Sequence, residues 1–380
     1  MPGGLRKSVI AAVPPLACGA ASFNDAMTRS MARTAPLDVL SWRRMYPPLL
    51  YRGQSVDPAS VRPDAPGAAF DLDWHRPSTW RQAATRVGAF GSEAMILPWL
   101  HPVMAPPSRY LLRHAPSQVT RVVICHNVVP HEPVPALGML SRTVLRHADL
   151  IVTHAPQQRG ELEALGVGDV DVLELFHPRF DAAALGALPS AQAGIEARAR
   201  HGDPDLLLLT FGAIRPYKGV DLALDALARV DRELDVRLVV AGRSWGSSEA
   251  LREQAKRLRL NGRLELVDRF IPDDEAALLF AAADASLLPY RSASQSGVAQ
   301  LSFAYGRPVI ATRVGGLPAA VDDGVNGILC EPDASSIAGA IEAMAKRRAE
   351  LTHGVREGAE ACSFDRYVSL IDGAVAELRR

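Results

Sequence analysis

Lysine is scarce in this chain: Lys7, Lys218, Lys256 and Lys346 are the only ones, and arginine supplies the other cations. Cysteine is as rare. Cys18, Cys125, Cys330 and Cys362 are scattered over 380 residues, without the close pairs that metal-binding cysteines form. They read as free thiols in a reducing compartment, so a cytoplasmic location is expected. A charge excess is missing too, since 42 basic side chains balance 42 acidic ones. Nothing in that balance calls for a nucleic-acid partner. No apolar run approaches the roughly 20 residues of a membrane span. Arg6-Lys7 followed by Val9 to Ala17 imitates a secretory signal, but Pro14-Pro15 cuts the apolar run short. We read Ser8 to Val13 as a first strand, followed by a loop.

What is present is apolar content, 48% of residues. At roughly 100–200 residues per domain the length suggests two domains, each able to bury a core. The first half gives irregular signals. Pro14 to Asn24 is a small-residue loop entering a helix from about Asn24 to Arg33, with Ser22 or Asn24 as cap. Pro47 to Pro66 reads as loop. Asp71-Leu-Asp73 is a paired-carboxylate pattern, the kind that can hold a metal. Its flanks read as a strand whose alternation leaves both acids on one side. Met95–Trp99 and Arg121–Cys125 are further strands, running into His101 and into His126-Asn127. A helix over Leu137–Arg146 and a strand over Asp149–His154 follow. Ala182 to Asp205, rich in Ala, Gly and Pro, reads as the connection between domains.

The second half alternates regularly. Strands are expected at Leu206–Phe211, Arg237–Ala241, Leu264–Val267, Ala285–Leu288 and Pro308–Thr312. Helices lie between them at Asp221–Arg232, Ser247–Leu258, Asp273–Ala283 and Val298–Tyr305, and after them at Ser335–Lys346. A parallel sheet covered by helices follows. The turn Gly212-Ala-Ile-Arg215-Pro-Tyr-Lys218-Gly219 joins a strand to a helix start, a junction whose free N–H groups suit an anion. Arg215 offers a planar fork and Lys218 a point charge, and phosphate accepts both. Ser292 to Gly297 and Val314 to Gly316 are turns of the same kind after neighbouring strands, all facing one sheet edge.

The ordered set of Gly212-x-x-Arg215-x-x-Lys218-Gly219, Ala241-Gly242, Phe270-Ile-Pro272, Ala283-Asp284 to Pro289, Gly306 to Thr312 and Gly315-Gly316 resembles the retaining, nucleotide-sugar-dependent glycosyltransferases of family 4 (group 1). The resemblance is strong from Leu206 to about Pro332 and looser before it, through Trp99-Leu-His-Pro and Cys125-His-Asn. It implies a GT-B fold, two Rossmann-like α/β domains with parallel sheets facing across a cleft. Residues 1–185 would be the acceptor domain, with a helix at 363–380 packing back on it, and 186–362 the donor domain. It implies Arg215, Lys218 and His126 as catalytic. Donor contacts would come from Gly212, Arg269, Phe270, Ile271, Ser294, Gln295, Ser296, Gly297, Val298 and Gln300. Gly19, Ala20, His101 and Asn127 would lie on the acceptor side. No metal or cofactor is implied beyond a nucleoside-diphosphate sugar as co-substrate. The acceptor would be a sugar, a small molecule or a lipid-linked species, the last at the inner membrane face. One departure stands out. Much of the family carries two glutamates within Pro289–Gly306, and Ala293 and Leu301 hold their places. That absence keeps open a weakened binding protein as the rival reading, beside a nucleotide-sugar epimerase on the same fold.

Overall fold

The computed structural model describes residues 4–16, 20–46, 66–128, 135–180, 189–245, 248–293, 296–358 and 360–380. It divides into two compact units, Met1–Phe176 with Phe364–Arg380, and His177–Ser363. The division falls ahead of the stretch read as the connection.

Unit 1 begins with β1 (Lys7–Ile10), α1 (Ala21–Thr34), β2 (Leu37–Arg44), β3 (Ala68–Asp73), α2 (Pro77–Ala89) and β4 (Ala94–Trp99). It continues with α3 (Ala105–His114), β5 (Thr120–Cys125), α4 (Pro135–Leu145), β6 (Leu150–Thr153), α5 (Gln157–Ala164) and β7 (Asp171–Glu174). The strands form one parallel sheet in the order β3-β2-β1-β4-β5-β6-β7. The central strands are mainly apolar. Val122, Val123, Ile124 and Cys125 are all fully buried.

Unit 2 opens with α6 (Ala191–Arg200), β8 (Leu206–Phe211), α7 (Val220–Leu227), β9 (Val236–Ala241), α8 (Glu249–Arg257) and β10 (Leu264–Val267). Then come α9 (Asp273–Ala282), β11 (Ala285–Leu288), α10 (Gly297–Ala304), β12 (Val309–Thr312), α11 (Leu317–Ala320), β13 (Gly327–Cys330) and α12 (Ala334–Glu357). Its parallel sheet runs β10-β9-β8-β11-β12-β13. In each sheet the chain reverses direction once, between β1 and β4 and between β8 and β11. Such a switch point leaves a crevice at the carboxyl ends of the two strands.

The last helix, α13 (Phe364–Leu378), returns to unit 1. Its buried Phe364, Tyr367, Val368, Ile371 and Val375 recur at helical spacing. Asp372 on it pairs with the buried ammonium of Lys7 in β1 at 2.8 Å. Among the described residues no helix is long and apolar enough to cross a membrane.

Several local expectations need correction. β1 stops at Ile10, short of Val13, and α1 starts at Ala21 rather than Asn24. Neither Ser22 nor Asn24 caps α1, because Ala20 holds the cap position without a side-chain bond. Asn24 is buried instead and donates to the Ala12 carbonyl at 2.8 Å. The acids of β3 do not share a side: Asp71 is exposed while Asp73 is buried. The Asp73 carboxylate is taken by Arg44 Nε at 2.8 Å and His75 Nδ1 at 2.5 Å. The stretch read as a connection contains α6, capped by Ser190 accepting from the Ala193 N–H. A serine followed by an alanine-rich run is a helix start, and that local signal outweighs the Gly/Pro-rich average. β2, β7 and β13 were not anticipated; the last two have only four residues each. Most of Pro47–Pro66 lies outside the described residues.

Candidate functional site and the matching edge of unit 1

The unit 2 crevice is built from loops that touch backbone to backbone. After β8 the chain makes a short 3-10 turn at Pro216–Lys218, closed by Gly219 at φ 63°. A Cβ on Gly219 would sit 2.0 Å from the Pro289 carbonyl oxygen, so only glycine lets the β8 and β11 loops meet there. Gly315 repeats the device after β12. At φ 52°, its Cβ would sit 1.5 Å from the Ala293 carbonyl oxygen. Side chains then lock the same loops. Arg291 N–H donates to the Tyr217 carbonyl at 2.7 Å, and its guanidinium grips Asp221 through two bonds of 2.7 Å. Thr312 Oγ1 donates to the Tyr290 carbonyl at 2.6 Å.

Lys218 points inward from this frame. It is 8% exposed, and its Nζ donates to the Phe211 carbonyl at 3.2 Å and lies 5.5 Å from the Tyr290 ring centre. Burial pushes the ammonium below the ordinary lysine range; Tyr217 opposes the shift and Arg215 adds to it. Gly212 makes the room, since a Cβ there would stand 3.0 Å from Nζ. The Arg215 guanidinium lies 4.0 Å over the Trp245 ring. Among the described residues neither cation has a carboxylate partner. Their neighbours do: Arg291 has Asp221, and Arg269 holds Glu275 through bonds of 2.7 and 2.5 Å.

The start of α10 closes the crevice. Ser296 caps it, its hydroxyl accepting from the Ala299 N–H at 3.3 Å. Ser296 also bonds to the buried Tyr290 phenol, which burial pushes up to about 12 against the effect of that bond. Gly297 opens the helix, and Val298 comes within 3.9 Å of where a Gly212 Cβ would be. Gln300 is 2% exposed, and its Oε1 has no hydrogen-bond partner among the described residues. Ser294 and Gln295 lie outside the described residues. In the loop after β10, Ile271 is buried and Phe270 is 45% exposed. The structure thus gathers Gly212, Lys218, Ser296, Gly297 and Val298 at the switch point, and spends Arg269 on Glu275.

The corresponding edge of unit 1 is built from side chains. His126 follows β5, its N–H donating to the Trp99 carbonyl at 3.0 Å, and its ring meets Phe23 edge-on at 4.8 Å. Asn127 Nδ2 donates to the Leu100 carbonyl at 3.2 Å, tying the β4 and β5 loops. His101 is an exposed cap whose Nδ1 accepts from the Val103 N–H at 3.1 Å. Ala20 starts α1, and Gly19 lies outside the described residues. Sequence reasoning missed the residues that hold this edge. Buried Gln158 accepts from the His154 N–H at 2.8 Å and donates to the Cys125 and His126 carbonyls at 3.2 and 3.4 Å. His154 Nε2 meets the Tyr367 hydroxyl at 2.8 Å, from a helix far away in sequence. No local pattern announces such a contact. Tyr290 and Trp245 were missed too, though both flank glycine turns already singled out.

Residues 205–347 match the family described as Glycosyl transferases group 1. Relatives include D-inositol 3-phosphate glycosyltransferase of Mycolicibacterium gilvum (strain PYR-GCK), 33% identical over 231 residues, 58% of this chain and 50% of that protein. Another is the enzyme of the same name from Geodermatophilus obscurus, 38% identical over 190 residues, 47% of this chain and 42% of that protein. The chain spans about half the length of the curated relatives it matches. Among solved structures, sucrose-phosphate synthase from Thermosynechococcus elongatus superposes with TM-score 0.72 at 18% identity, covering 98% of both chains. Anabaena Alr3699/HepE in complex with UDP-glucose gives 0.72 at 16% identity, again over 98% of both chains. Residues 205–347 therefore carry the sequence of the group 1 glycosyl transferases, in a chain whose two parallel-sheet α/β units have the GT-B fold.

Proposed function

We propose that this chain is a retaining, metal-independent glycosyltransferase of family 4, moving a sugar from a nucleoside-diphosphate donor to an acceptor hydroxyl. The observation that carries the reading is the pair Arg215 and Lys218 on the turn after β8, neither with a carboxylate partner among the described residues. Two such cations on a strand-to-helix turn suit a pyrophosphate. In this mechanism they stabilise the charge that develops as the nucleoside diphosphate departs. The acceptor hydroxyl attacks on the face the diphosphate leaves, and the departing phosphate oxygen takes its proton. Gln300, buried with an Oε1 that has no partner among the described residues, stands in for the absent carboxylates as an acceptor for a donor hydroxyl. His126 contributes its side chain or its carbonyl to sugar binding.

Acceptors in polysaccharide, glycolipid or glycoconjugate synthesis fit this reading, as does peripheral contact with the inner membrane face. Supporting the latter, Arg146, Arg113, Arg109 and Arg121 crowd His147, whose pKa burial and then these charges hold down, and Met139 on α4 is 73% exposed. Sedimentation with anionic vesicles tests the contact.

The test of the main reading is a thermal denaturation screen with UDP, GDP and ADP. One of them should raise the midpoint by mass action. If none does, the donor reading fails. NMR of product formed from the matched donor should show the anomeric configuration kept, and an inverted product would remove the retaining mechanism.

A further inference from the structure

We propose that Trp245 is the positioning residue for Arg215, holding the guanidinium by its flat face while leaving its rim of N–H donors open to phosphate. The inference rests on the reading of Arg215 given above.

The geometry is specific. Arg215 Cζ lies 4.0 Å from the Trp245 ring centre. Backbone bonds fix both residues to one frame. Trp245 N–H donates to the Ile214 carbonyl and Ile214 N–H to the Arg243 carbonyl, each at 2.9 Å. Ser244 N–H donates to Asp268 Oδ1 at 2.7 Å. The β8 and β9 ladder thus extends past the strand ends, to the residues on which the stacked pair sits.

Trp245 is 58% exposed and lines, with Ile214, Pro216, Val220, Asp221, Ser244 and Leu251, a cavity of about 170 Å³. Its ring lies against the Arg215 guanidinium. The arrangement also differs from every other way this site restrains an arginine. Arg291 and Arg269 are each held by a carboxylate that consumes in-plane donors. Asp221 lines the same cavity as Arg215, yet Arg291 takes it. A ring face attracts the cation through its quadrupole and uses none of the five donors. Arg215 is therefore ordered before a ligand arrives without being spent.

The test is calorimetric titration with whichever of UDP, GDP or ADP binds the parent best, on Arg215→Ala, Trp245→Ala, Trp245→Phe and the Arg215→Ala/Trp245→Ala double variant. Arg215→Ala should weaken binding about tenfold or more, as loss of a charge-assisted hydrogen bond does. Trp245→Ala should weaken it roughly threefold to fivefold, the size an exposed cation–π contact supports. Trp245→Phe should fall nearer the parent. The double variant should bind no more weakly than Arg215→Ala alone, because the indole acts through the arginine. If Trp245→Ala binds like the parent, or its effect multiplies in full with that of Arg215→Ala, the positioning role is overturned while the Arg215 reading stands. If Arg215→Ala binds like the parent, the Arg215 reading falls and takes this one with it.

Discussion

The two sheets end in different materials. In unit 2 the loops after β8, β11 and β12 approach through bare backbone, with Gly219 against Pro289 and Gly315 against Ala293. In unit 1 the loops after β5 and β6 are joined by side chains, with Gln158 spanning three backbone groups and Tyr367 reaching His154 from the chain's other end. Backbone contact is unforgiving: it fixes the residue type, because any Cβ collides. Side-chain contact leaves many solutions open. On the reading proposed above, the first way suits a crevice whose backbone N–H groups meet an anion. At the unit 1 edge the loops are held by side-chain contacts that several residue types could make.

The contrast can be broken most sharply at Lys218. If unit 2 does the electrostatic work, Lys218→Ala should cut turnover by about a hundredfold or more, the roughly 3–4 kcal/mol that a preorganised donor contributes. Initial rates with the matched donor measure it, and a loss of only a few-fold would take Lys218 out of the mechanism. Gly315→Ala comes next. The added Cβ would meet the Ala293 carbonyl at a positive φ, so either the β11 or the β12 loop must move. We expect a loss of about 2–3 kcal/mol in denaturant unfolding, from strain plus the displaced loop. Diphosphate binding should weaken with it. A variant as stable as the parent would show that the loops can part freely and that their contact matters little.

That difference in materials also decides what a sequence can reveal. Gly212, Gly219 and Gly315 stand in the turns after β8 and β12, so where those loops approach one another is legible from residue types. β8, β10 and β11 were found at their observed bounds because buried parallel strands are short apolar runs. The partners that complete the frame were not visible. Arg291 with Asp221 is separated by 70 positions, and nothing local marks either as half of a pair. In unit 1, the alternation around Asp71 and Asp73 suggested a shared face, but β3 shifts register against β2 and buries only the second acid. His154 and Tyr367 lie 213 positions apart, beyond any pattern in the intervening chain.

Tyr367→Phe sharpens the comparison from the other side. The change keeps the ring packed against Phe23 and His154 and removes only the hydroxyl that meets His154 Nε2. Both residues are buried, so the loss should cost about 1–2 kcal/mol in thermal or denaturant unfolding. Because the contact belongs to unit 1, nucleoside-diphosphate affinity should stay within experimental error of the parent. A drop in that affinity as large as the loss in stability would mean the two edges do not work separately.

The smallest effect is expected at Ser296. Its hydroxyl does two things, accepting from the Ala299 N–H at the start of α10 and bonding to the buried Tyr290 phenol. Ser296→Ala should cost about 1 kcal/mol for the cap alone. The phenol loses a bond as well, and buried hydroxyls have no water to turn to. Yet the α10 amides stay where the backbone contacts of Gly315 and Gly219 have put the loop. Diphosphate affinity should therefore fall less than stability does. If it falls more, the serine hydroxyl itself touches the ligand, and this part of the crevice, like the edge of unit 1, depends on a side chain.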